Sequence, residues 1–67
     1  MKQITVFAVA TFGGQIIDYQ EPIKKRINMS EEQAAYFAKN GFTWDKYANY
    51  YKTMKRAKAA INWALSN

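Results

Sequence analysis

Residues 4–12 read Ile-Thr-Val-Phe-Ala-Val-Ala-Thr-Phe, and an extended chain in that order has no polar side. β-Branched and aromatic types fit a pleated surface, so the sequence predicts a strand over residues 3–12. Alternation puts Ile4, Val6, Ala8, Ala10 and Phe12 on one face and Thr5, Phe7, Val9 and Thr11 on the other. An edge strand with one wet side does not need two apolar faces. This strand is therefore expected at the centre of a sheet, or covered twice.

Whatever covers it must hold by packing alone. The chain has 67 residues and neither cysteine nor histidine, which excludes disulfides and removes the thiolate and imidazole ligands of a zinc staple. No metal or cofactor is expected. A chain this short buries only about 60% of its unfolded surface, so its stability is marginal. Two Trp, five Tyr and four Phe offer one remedy, since each ring buries roughly 150–250 Å². Burial between copies offers another, and Phe7 and Val9, on the strand's second face, are the expected homodimer contacts. Absence of cysteine suits a reducing cytoplasm, the expected location. The apolar run is far shorter than the ~18 residues of a membrane span, so no membrane association is expected. As a signal peptide it would be cleaved after Ala10, short of the roughly 15–30 residues required.

Beyond the strand, Gly13-Gly14 is a two-residue hairpin signal, with a return strand expected over residues 15–20. Glu21-Pro22 ends it, because proline cannot donate to a ladder. Residues 23–27 read as a short third strand or a loop, and Lys24, Lys25 and Arg26 would suit a protected edge. Ser30-Glu31-Glu32-Gln33 is a capping box, and Gly41 supplies a left-handed stop, which predicts a short helix over residues 30–40. Thr43 reads as the next N-cap, with Phe42 and Tyr47 spaced as a hydrophobic staple. No proline or glycine follows, and Tyr47, Tyr50, Met54, Ala57, Ile61 and Leu65 fall in one stripe at helical spacing. A long amphipathic helix over residues 43–65 is expected. The expected fold is α+β, one unit over residues 1–67. An N-terminal antiparallel hairpin or three-stranded sheet would pack on a C-terminal helical hairpin, with Val6, Phe37, Tyr47, Met54 and Ile61 at its centre.

Nothing in the chain assembles into catalytic chemistry. Without histidine or cysteine, Ser30 and Ser66 have no base to orient a proton, and Ser30 is better explained as a cap. Glu31 and Glu32 are adjacent on a helix and diverge, while Asp18 and Glu21 flank a turn. Gly13-Gly14 lies between strands rather than between a strand and a helix, so it is no phosphate loop. An enzyme is not expected.

Two binding classes remain. The net charge of +5 favours anionic company. Lys24, Lys25 and Arg26, with Lys52, Lys55 and Arg56, could track phosphates if they share one side. Residues 33–50 also carry a degenerate helix-turn-helix pattern that would aim Thr43, Asn49 and Lys52 at a major groove. Phe37 stands where that motif wants a small residue, and Asn40 where it wants an apolar one. A small basic DNA- or RNA-binding regulator is thus the alternative. The leading expectation is a non-catalytic protein-binding module of inhibitor or adaptor type, of the kind small phage regulators exemplify. It would work through Trp44, Trp63, Tyr36 and Arg56, residue types enriched at hot spots, together with Phe7 and Val9 on apolar surface that two helices leave uncovered. A contiguous basic face would reverse that order.

Overall fold

In the computed structural model, which describes residues 1–66, the chain is α+β, as the patterning predicts. Its order is β1 (Lys2–Ala10), β2 (Ile23–Met29), α1 (Glu31–Asn40), β3 (Phe42–Trp44), β4 (Ala48–Tyr51) and α2 (Met54–Leu65). The four strands form one antiparallel sheet in the order β2-β1-β4-β3. β1 is central, and a helix covers each of its faces. Val6 and Ala8 pack with Met29, Ala34, Phe37 and Tyr50 on the α1 side. Val9 packs with Ala57 and Ile61 on the α2 side, where Phe7, Ile16, Tyr51 and Leu65 join. Both sequence expectations for this strand therefore hold together, and the result is three layers, helix on sheet on helix.

The partners of β1 differ from those expected. Gly13 and Gly14 do turn the chain in left-handed conformations, but the hairpin closes only one bridge, Phe12 to Gln15. Residues 15–20 then leave the sheet. Ile16 drops onto the α2-side core, and the Gln20 side-chain amide stands in for a strand by accepting from the Ala10 N–H (2.8 Å) and donating to its carbonyl (3.1 Å). The neighbour of β1 on this side is the segment after Pro22. Ile23 to Met29 pair with Ala8 to Lys2, so the optional third strand is real and longer than residues 23–27.

α1 follows its signals with one change. Ser30 Oγ accepts from the Gln33 N–H (3.1 Å), and Gly41 at φ 81° donates to the Phe37 carbonyl. The Gln33 side chain does not reach back to Ser30. It reaches across to Thr43 Oγ1 and the Trp44 carbonyl, tying the helix to β3.

The long helix over residues 43–65 is corrected. Its first third is a β-hairpin, β3 to β4, with Phe42, Thr43 and Trp44 opposite Tyr51, Tyr50 and Asn49. Asp45 holds the turn: its Oδ1 accepts from the Tyr47 and Ala48 N–H groups, and its own N–H donates to the Ala48 carbonyl. Thr43 is a buried strand residue, not a cap. Thr53 is the cap, accepting from the Arg56 N–H at 3.1 Å. Tyr47 accordingly leaves the expected core and is 71% exposed, and Met54 is only half buried. Because residues 42–44 and 48–51 are strands, the helix-turn-helix reading falls with the helix. Among the described residues, no helix is long and apolar enough to cross a membrane.

Candidate protein-binding surface

The register of the sheet decides which side chains meet. On the α2 side, Phe7 lies beside Tyr51, which lies beside Phe42, and Val9 beside Asn49, which lies beside Trp44. α2 covers the β1 end of these rows and leaves the β3 end open. Phe42 is consequently half buried and Trp44 is 53% exposed.

An aromatic row results. Phe42 stacks near-parallel with Trp44 (centroids 5.9 Å apart) and with Tyr51 (6.4 Å). Tyr36, from α1, meets both Phe42 (6.0 Å) and Trp44 (5.8 Å) edge-on. These offset and edge-to-face contacts suit the ring quadrupoles and fix the row's shape without burying it. Between the sheet and α2 runs an open groove of about 440 Å³, lined by Ile16, Asn49, Tyr51, Ala60, Trp63 and Ala64 among others. The α2 residues that line it are Ala60, Trp63 and Ala64. Of these, Trp63 is 80% exposed. Arg56 sits seven residues before Trp63, about two turns along the same flank. Its guanidinium lies over Gly41, where a Cβ would collide with it. Tyr36, Trp44, Trp63 and Arg56 thus border one surface, joined by Phe42 and Tyr51.

Sequence reasoning missed Phe42, which the assumed helix placed in a staple, and Tyr51, which it placed inside that helix. Their signal was alternation, Phe42/Trp44 and Asn49/Tyr51, on either side of a turn that has no glycine.

Phe7 and Val9 do not belong to this surface. Val9 is fully buried under α2 (0% exposed), and Phe7 is half buried in the same cluster, so the chain covers the face expected for homodimer contacts. The premise that two helices cannot cover both sides of β1 is corrected: the helices lie on opposite faces rather than side by side.

The basic residues are divided. Lys24 and Arg26 pair with Phe7 and Thr5 on the α2 side, while Lys25 pairs with Val6 on the α1 side. All three stand on β2, one edge of the sheet. Arg56 leans toward Gly41, next to β3 at the other edge, roughly three strand spacings or about 14 Å away. Lys55 follows one position before Arg56 on α2, and Lys52 precedes the helix beside Gly41, whose carbonyl accepts its N–H. Asn49 lies in the groove and donates to the Tyr51 hydroxyl at 3.3 Å. Among the described residues, neither ion pair, Lys2–Glu31 (3.8 Å) or Lys58–Glu21 (3.5 Å), uses any of the six basic residues expected at a nucleic-acid contact.

Among the described residues, two groups titrate away from their ordinary values. Burial pushes the Tyr50 hydroxyl up to about 12, helped by its hydrogen bond to Asp45 and that carboxylate's charge. Burial would raise Asp45 as well, yet it lies below its usual value. Hydrogen bonds from Tyr50, Tyr47 and Ala48 and the positive charge of Lys25 together outweigh the desolvation. This is the chemistry of a clamped turn. No protein-family model, no curated protein and no solved structure matches the chain.

Proposed function

We propose that this chain is a small non-catalytic protein-binding module, of inhibitor or adaptor type, that occupies a partner's surface with its aromatic row. The observation that carries the reading is the set Tyr36, Phe42, Trp44 and Tyr51, ordered by ring contacts and only partly buried, with Trp63 and Arg56 at its border. Ordered rings lose little rotamer freedom on docking, and Trp, Tyr and Arg are the usual anchors of interface energy. The splitting of the basic residues between two strand faces and two sheet edges supports the same reading, because it denies phosphates a single track.

The test is capture from native lysate with and without nuclease, repeated with three variants. Binding should survive nuclease and should survive neutralising Lys52 and Lys55 together to Gln. It should fall by at least about tenfold with Trp44→Ala or Trp63→Ala, each worth on the order of 1–2 kcal/mol at a hot spot. A second reading, a basic nucleic-acid-binding regulator, keeps the support of the net charge and of the six basic side chains outside the ion pairs. Duplex binding that persists at physiological salt and vanishes with the double substitution would establish it instead.

A further inference from the structure

The two edges of the sheet are finished in different ways. β3 is three residues long, and the Gln33 side chain meets its Trp44 carbonyl. Where β1 overhangs β2, the Gln20 amide satisfies both backbone groups of Ala10. β2 has no such cover. All seven of its residues pair with β1, and none takes part in a backbone hydrogen bond outside the ladders, among the described residues. Its outer edge therefore presents alternate N–H and C=O groups along its whole length.

The side chains on that edge have a definite order. Ile23 (65% exposed), Lys25 and Ile27 point to the α1 side, and Lys24, Arg26 and Asn28 to the α2 side. Among the described residues, no ion pair uses the three charges. A second copy is a poor occupant. Antiparallel pairing of β2 with itself about Lys25 would set Lys25 against Lys25 and Lys24 against Arg26, and like charges placed opposite destabilise a ladder. The complement is the reverse pattern, apolar–acidic–acidic–acidic–apolar.

We propose that the β2 edge takes an extended acidic segment of a partner protein as a fifth, antiparallel strand, with acidic residues opposite Lys24, Lys25 and Arg26 and apolar ones opposite Ile23 and Ile27. Backbone pairing supplies the affinity and the charges supply register and selectivity, as in strand addition generally. This surface lies at the opposite edge of the sheet from the aromatic row and stands or falls without it.

The experiment uses the whole chain, 15N-labelled, and the peptide acetyl-Thr-Val-Glu-Asp-Glu-Val-Thr-amide. Titration should shift the amide signals of residues 23–29 and slow their hydrogen exchange by about tenfold or more, leaving the indole signals of Trp44 and Trp63 in place. The same peptide N-methylated at its five central residues keeps its charge but cannot form a ladder, and should bind at least about tenfold more weakly. Reversing the edge with Lys24→Glu and Arg26→Glu should abolish binding and create binding for the Lys-Asp-Lys counterpart, whose aspartate still faces Lys25. Equal binding of the N-methylated peptide would overturn the proposal and leave β2 as a charged guard against aggregation. So would no binding at millimolar peptide, or stronger protection of the same amides by oligodeoxythymidylate. The N-methyl comparison needs no variant and so does not depend on the folding of the double substitution.

Discussion

Tyr50 donates its hydroxyl proton to Asp45 Oδ2 across the β3–β4 turn, so one carboxylate holds both the turn's backbone and a buried ring. The sign of the resulting pH dependence follows from the two shifts. Asp45 is depressed in the folded state, so its contribution is present above the ordinary value of 3.8 and is lost as pH falls through the folded value. Tyr50 is raised from 10.0 to about 12, so its contribution is complete below 10.0 and is lost as pH climbs between those values. Thermal melts against pH should fall at both ends. Asp45→Asn should flatten the acid limb and Tyr50→Phe the alkaline one; unchanged limbs in both variants would show that the clamp carries no linkage.

Ile61 and Tyr47 separate the true core from the expected one. Ile61 is almost fully buried between α2 and β1, so Ile61→Ala should cost about 2–5 kcal/mol and unfold a substantial fraction of a chain this small. Tyr47 stands in solvent with Lys46 Nζ 5.7 Å from its ring centroid, and its backbone bonds do not need the ring. Tyr47→Ala should therefore stay within about 0.5 kcal/mol of the parent in urea melts. Equal losses at the two positions would contradict the hairpin.

Why that hairpin was hidden is a matter of coincident periods. Residues 43–51 contain no glycine or proline, and Tyr47 and Tyr50 happen to continue the stripe of Met54, Ala57, Ile61 and Leu65 backwards at helical spacing. Alternation was equally present, with buried Thr43 and Tyr50 against the more open Phe42, Trp44 and Tyr51. A turn built on an aspartate side chain carries a weaker signal than one built on glycine. α1 was legible because Ser30 and Gly41 act locally, through one side chain and one left-handed residue. The central place of β1 was legible because its two apolar faces demand it. Its partner was not, since Gly13-Gly14 can turn a chain without supplying the residues that would hold it in the sheet. For the candidate surface, Trp44, Trp63, Tyr36 and Arg56 could be named from residue type. Their convergence depended on a strand register that residue type does not encode.

Gly41 meets two demands that can be told apart. Its φ of 81° disfavours any side chain, and the Arg56 guanidinium fills the space a Cβ would take. Gly41→Ala should cost about 1–2 kcal/mol from the left-handed backbone alone. The arginine is the flexible end of a long side chain, so combining Gly41→Ala with Arg56→Ala should recover only a small part of that loss. A double-mutant cycle in denaturant measures the split. Full recovery would place the cost in the steric contact rather than in the backbone.

Val9 gives the sharpest test of how the second face of β1 is covered. Were that face an interface between copies, a lysine there would break the assembly and leave a folded monomer. In the three-layer arrangement Val9 has no exposed surface, and Ala57 and Ile61 of the same chain lie against it. An ammonium at that position has no partner in the apolar cluster, and burying a charge unpaired costs several kcal/mol. That loss is comparable to the whole stability of a small domain. Val9→Lys should therefore abolish the cooperative thermal transition and the dispersion of amide proton signals. Phe7→Lys, at a half-buried site where a long stem can reach solvent, should be milder. A Val9→Lys chain that stays folded, with its sedimentation coefficient shifted from dimer to monomer, would return this face to the surface and detach α2 from it.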